Sequence, residues 1–198
     1  MPYTTKTLIA GLAIISLFGA GCGGNSATTG GQTSNEPEQK AVSGKSYDPC
    51  DLLTADDVAA VFPGGQITQT KHETTANAIG QKICFYSASE TDQMFAQLSL
   101  IATADMSAGM KSSGQNAETL FNQEKDLLDA KDLTTINGLG DVAYYGGSGL
   151  GLGKGMNVLK NSKGVKFNVV VGLGFGNDDQ QKHIDIETSL SKKVLERL

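Results

Sequence analysis

Phe95-Ala96-Gln97-Leu98-Ser99-Leu100-Ile101-Ala102-Thr103 places Phe95, Gln97, Ser99 and Ile101 on one side of an extended chain and Ala96, Leu98 and Leu100 on the other. Successive side chains of a strand point to opposite faces, so a run of this kind belongs in a sheet with one apolar face. Working outward from it, 82–88 and 66–73 read as two further strands on its N-terminal side. On its C-terminal side a helix is expected over 117–130, capped by Asn116, with Leu120, Phe121, Leu127 and Leu128 along one stripe. Glu124 falls on that stripe and reads as a rim carboxylate or salt-bridge partner.

Three more strands are expected at 141–145, 150–161 and 165–172, with Asn161-Ser-Lys-Gly164 as the turn between the last two. Two helices flank the strand runs. The first follows Asp48-Pro49-Cys50-Asp51-Leu52-Leu53. Thr54 is its N-cap, Asp57 the reciprocal partner three residues on, Leu53 and Val58 form a staple across the cap, and Pro63 ends it. The last has Asp178 and Asp179 in its first turn and Ile186, Leu190, Val194 and Leu198 as its stripe. Lys192, Lys193 and Arg197 suit its negative end.

The expected fold is therefore α+β: an antiparallel sheet of about six strands with about three packed helices, in the order αβββ-αβββ-α. The order suggests a duplicated plan, without a residue-level repeat.

The N-terminus reads as an address. Lys6 precedes the apolar run Thr7-Leu-Ile-Ala-Gly-Leu-Ala-Ile-Ile-Ser-Leu-Phe18, which is too short for a comfortable membrane span and leads into Gly19-Ala20-Gly21-Cys22. This stretch resembles a bacterial lipobox, with Gly19 where leucine is usual. The resemblance implies cleavage before Cys22 and lipidation of its sulfur. Two acyl chains give stable anchoring, at about 0.8 kcal/mol per buried methylene.

Residues 23–46 are small and polar and read as a flexible tether, with a typical reach of about 27 Å. The domain organisation is then a signal peptide at 1–21, the lipidated cysteine and tether at 22–46, and one globular domain at 47–198. The expected location is extracytoplasmic, at the cell membrane.

With Cys22 set aside, Cys50 and Cys84 remain as an even pair in an exported chain. A structural disulfide is expected, contributing about 3–4 kcal/mol in the chain-entropy account. Two free thiols, a metal pair or a redox dithiol are the competing readings. His72 and His183 offer no close metal spacing to either cysteine, and no Cys-x-x-Cys is present.

No catalytic, cofactor-binding or metal motif emerges. The stretch Gly146–Gly155 invites a phosphate-loop reading, but Ser148 stands where the first glycine belongs and Gly155 where Ser or Thr belongs. It reads as a flexible hairpin or bulged strand. Asp178-Asp179 suits a helix start. Tyr144-Tyr145 reads as core or rim packing, with a binding lip as the alternative. The net charge of −5 gives no broad pull toward nucleic acid.

Gly21-Cys22, the polar tether, Asp48-Pro49-Cys50-Asp51-Leu52-Leu53-Thr54, Cys84-Phe85-Tyr86 and Gly138-Leu139-Gly140-Asp141-Val142-Ala143-Tyr144-Tyr145 together resemble the small lipoproteins with an Asp-Pro-Cys motif that are common in actinobacteria. Tyr86 and Tyr145 stand where tryptophan is also frequent. The resemblance spans essentially the whole chain. It implies pairing of Cys50 with Cys84 and an extracytoplasmic address. The domain of that family has no known function, so no activity or catalytic residue is implied.

The functional expectation is a non-enzymatic envelope module that binds a protein or small ligand through its sheet and the Gly146–Gly155 loop. An envelope hydrolase with a dispersed site, or an accessory subunit of an envelope or secretion complex, are the alternatives.

Overall fold

The computed structural model describes residues 44–62, 67–88, 94–147, 153–174, 176 and 179–198, with backbone alone at 68–70. The signal peptide, Cys22 and nearly all of the expected tether lie outside the described residues. So do Pro63, Asp178 and residues 148–152 of the glycine-rich stretch.

Among the described residues the fold is α+β, with a seven-stranded antiparallel sheet and five α-helices. Two helices precede the first strands: α1 (Pro49–Leu52) and α2 (Ala55–Val61). The Thr54–Asp57 capping box forms as expected, with the Thr54 N–H donating to Asp57 Oδ2 at 2.9 Å. The one-turn α1 was not expected. Asp48 caps it by accepting from the Cys50 N–H, and Pro49 takes the first helical position, where its missing N–H costs nothing.

Strands β1 (Thr68–Glu73), β2 (Gln81–Ser87) and β3 (Met94–Ala102) form one meander. Then come α3 (Ala108–Ser112), also unexpected, and α4 (Ala117–Asp126), capped by Asn116 as expected. The helix α4 ends four residues earlier than its apolar pattern suggests. Leu127 therefore leaves the stripe and is exposed, while Phe121 stays buried.

The second meander is the two-residue edge strand β4 (Thr134–Thr135) followed by β5 (Val142–Gly147), β6 (Lys154–Lys160) and β7 (Val165–Leu173). Gly164, at φ 62°, closes the turn between β6 and β7 in the left-handed region that glycine enters without strain.

The strand order is β1-β2-β3-β7-β6-β5-β4. The third strand of one meander pairs with the last strand of the other, over the nine partners from Met94–Leu173 to Ala102–Val165. The expected three-and-three plan is three and four in the sheet, and the helices depart from it as well. The helices α1, α2 and α5 (Gln180–Arg197) pack on the face carrying Cys84, Leu98, Val158 and Phe167, whereas α4 packs on the opposite face through Phe121. The main core lies under the first group.

The buried stripe of α5 is Ile184, Glu187, Leu190, Ser191 and Val194, so the expected Ile186 sits only at its border. Asp179 caps α5 rather than lying within its first turn. At the far end, Arg197 donates to Asp57 (Nη2 to Oδ1, 3.0 Å) and to the Leu52 carbonyl at 2.7 Å, clasping the end of the chain to α1 and α2. That guanidinium holds the Asp57 carboxyl down at about 2. Ser46, expected at the end of the tether, accepts from Lys82 Nζ at 2.7 Å.

Glu187 explains a gap in the sheet. The β6–β7 ladder stops at Met156–Val169, while β6 stays with β5 to Lys154 and β7 stays with β3 to Leu173. Where β6 and β7 part, Glu187 Oε1 accepts from the Val171 N–H at 3.0 Å, and the Met156 N–H faces the same carboxyl. The side chain is fully buried, and burial raises its pKa to about 8.

An unfolded glutamic acid ionises near 4.5, whereas the folded one keeps its proton. The contribution of Glu187 to stability is therefore greatest below about 4.5 and should fall by about 1.4 kcal/mol per pH unit up to about 8. Urea unfolding across that range measures the slope. Glu187→Gln, which keeps the acceptor and cannot ionise, should flatten it.

Candidate functional site

The face opposite the main core is polar where a buried sheet face is normally apolar. Direct cross-strand partners set a row across five strands: Tyr144 on β5, Asn157 on β6, Asn168 on β7, Ser99 on β3 and Ile83 on β2. At about 4.8 Å per strand the row spans about 19 Å. Val170, Gln97 and Phe85 form a neighbouring row, and Leu159, Lys166, Ile101 and Gln81 flank it on the other side. Gln97, Ser99, Asn157, Lys166 and Asn168 are all buried.

Burying amides is costly unless they are hydrogen-bonded, and most here are. Asn168 Nδ2 donates to Asn157 Oδ1 at 3.0 Å, Asn157 Nδ2 donates to the Gly155 carbonyl at 3.1 Å, and Gln81 Nε2 donates to Ser99 Oγ at 2.8 Å. Lys166 pairs with Glu124, as the stripe position of that acid suggests. Burial lowers the Lys166 pKa, and Glu124 opposes the shift. Two atoms are left over. Asn168 Oδ1 and the Tyr144 hydroxyl are buried with no hydrogen-bond partner among the described residues.

The two ends of the row differ. On the β5–β6 side Phe121 lies against Tyr144, with ring centroids 5.3 Å apart. Burial, with Glu124 nearby, pushes the Tyr144 phenol well above its ordinary pKa. On the β2–β3 side Phe85 and Phe95 stack at 5.4 Å and, with Ile83, stay half-buried. The face thus carries buried amide and hydroxyl groups beside a half-exposed aromatic platform. Such an arrangement can hold a ligand by lateral hydrogen bonds and ring contact.

The described ends of the glycine-rich stretch serve this face by packing rather than by phosphate chemistry. A Cβ on Gly155 would stand 2.9 Å from Asn168 Nδ2 and 2.7 Å from Val170 Cγ2, so glycine is what lets those side chains close over β6. The two tyrosines part company, Tyr144 toward α4 and Tyr145 into the main core. Both are buried, as a packing role requires.

Neither histidine joins this face. His183 Nδ1 lies 3.8 Å from Glu187 Oε1 on α5, and Ser191 stands one turn beyond Glu187. Ser191 is fully buried, so a substrate does not reach its hydroxyl. His72, on β1, lies beside Asp48, with Nε2 2.8 Å from Oδ1. Cys50 and Cys84 form the expected disulfide, with Cα atoms 5.2 Å apart, tying α1 to β2. Sequence reasoning missed the polar row, because alternate polar residues in strands normally mark the solvent side.

Compared with family models, curated proteins and solved structures, the chain matches none. Because the buried Tyr144 hydroxyl has no partner among the described residues, Tyr144→Phe should leave stability unchanged or raise it by up to about 1 kcal/mol. The urea midpoint at pH 7 reads this directly, and a large loss would assign the hydroxyl to the core.

Proposed function

We propose that this protein is an extracytoplasmic lipoprotein, anchored to the cell membrane through Cys22, whose domain binds another component of the envelope on the polar sheet face. The apolar leader ending in Gly19-Ala20-Gly21-Cys22 supports the anchor. The Cys50–Cys84 disulfide agrees with an oxidising compartment. One observation carries the binding role: the stacked Phe85–Phe95 pair and Ile83 stay half-exposed beside Gln97 and Ser99, at the β2–β3 end of the polar face.

The reading favours a binding module over an enzyme, since the face supplies amides, a hydroxyl and rings rather than a nucleophile with a base. The tether at 23–46 would let this face reorient within its reach of the membrane.

Two experiments test the two halves. Cys22→Ser should move the protein from the membrane fraction to the soluble fraction, and full membrane retention of a processed variant would contradict the anchor. For binding, a photo-reactive residue at Phe95 or Phe85 should capture a discrete envelope component in intact cells. The same residue at Lys193, on the solvent side of α5, should not. Equal capture at all three positions, or none, would contradict the binding face.

A further inference from the structure

The disulfide corner gathers four donor groups that are scattered in the sequence. His72 and Cys84 are direct cross-strand partners on β1 and β2. Cys84 is bonded to Cys50, and Asp48, two residues before Cys50, reaches back to His72. One ligand atom from each of Asp48, Cys50 and His72 lies within 4.8 Å of the others, and the Cys84 sulfur is one bond from that of Cys50. With the disulfide closed, neither sulfur is a thiolate, and the set is short of two ligands.

We propose that reduction of Cys50–Cys84 turns this corner into a four-coordinate zinc site, with Cys50, Cys84, His72 and Asp48 as its ligands. The proposal goes beyond the binding role and does not depend on it. A dithiol reductant supplies two electrons and two protons, becomes a disulfide itself, and leaves two thiols on the protein. Zinc then binds as both thiols release their protons, entering between His72 Nε2 and Asp48 Oδ2, now 3.0 Å apart, while the imidazole proton moves to Nδ1.

The donor set suits the metal. Two thiolates, an imidazole and a carboxylate are ordinary zinc ligands, with Zn–S about 2.3 Å and Zn–N about 2.0–2.1 Å. A tetrahedron of those bond lengths puts ligand atoms about 3.3–3.8 Å apart, and one donor atom each from Asp48, Cys50 and His72 already lies within 4.8 Å of the others.

The geometry also supplies access and a fixed frame. The His72 and Asp48 side chains are 37% and 29% exposed, so an ion can reach the corner from solvent. Asp48 already accepts from the Cys50 N–H at 2.9 Å, an outer hydrogen bond that orients the carboxylate while leaving its other oxygen for metal. Zinc would then tie α1 to β2 in the reduced chain, as the disulfide does in the oxidised one.

The test uses the full chain carrying Cys22→Ser, so that Cys50 and Cys84 are the only thiols, reduced with a phosphine and titrated with cobalt(II) as a spectroscopic stand-in for zinc. One equivalent should bind, with thiolate-to-cobalt charge transfer and the visible bands of tetrahedral cobalt, and zinc should bleach both. His72→Ala and Asp48→Asn should each weaken binding by about 10–100-fold. Asn keeps the cap of α1, so a loss there reports the ligand and not the fold.

Zinc should also raise the melting temperature of the reduced chain while leaving the oxidised chain unmoved. If reduction alone unfolds the domain, zinc should refold it with the same cobalt spectrum on exchange. A reduced chain without the thiolate band would overturn the proposal. So would unchanged affinity in both variants, or equal binding by the oxidised chain.

Discussion

The pairing of β3 with β7 is the constraint on which the rest of the structure depends. Each meander holds itself together by short connections, but only this nine-residue seam makes one sheet of two. It is long-range in sequence, so its loop-closure entropy must be met by burial across the joint. Leu98 opposite Val169 and Leu100 opposite Phe167 supply that burial on the main core face. The helix α5 then lies over β6 and β7 and clasps α1 and α2 through Arg197, so chain end and chain start close the same core.

The seam also gives the sheet its two characters. The residues that alternate with the core positions bring Gln97 and Ser99 of β3 beside Val170 and Asn168 of β7. A single register therefore fixes the apolar core and the polar row at once, and a slip by one residue would exchange them. Glu187 belongs to the same logic. It mends the ladder where β6 leaves β7, with an acceptor from a helix in place of a strand carbonyl. The domain accepts a buried carboxyl there in return for separated strand ends beside the glycine-rich stretch.

Much of this was legible in the sequence where the signals are local. Alternation marked β2, β3 and β7, the Thr54–Asp57 and Asn116 caps started α2 and α4, and Asn161–Gly164 marked a turn. The even cysteine pair left once Cys22 is set aside pointed to the disulfide. The short α1 was signalled by Asp48-Pro49, an N-cap followed by proline at the first helical position, and was overlooked because one turn is below the length that periodicity detects. Strand order was not legible, because nothing local tells β3 to choose β7. Glu187 gave no signal in the sequence because its partners, Val171 and Met156, lie on other elements. For the same reason Asp48 and His72 gave no sign of meeting, and the polar row passed for an exposed side.

The seam is tested most directly by native-state hydrogen exchange. The account predicts that the amides of Leu98 and Val169 exchange slowest in the molecule and open only with global unfolding, together with those of β2 and β6. Separate opening of the two meanders, with the β1–β3 amides exchanging at a different free energy from those of β5–β7, would contradict it.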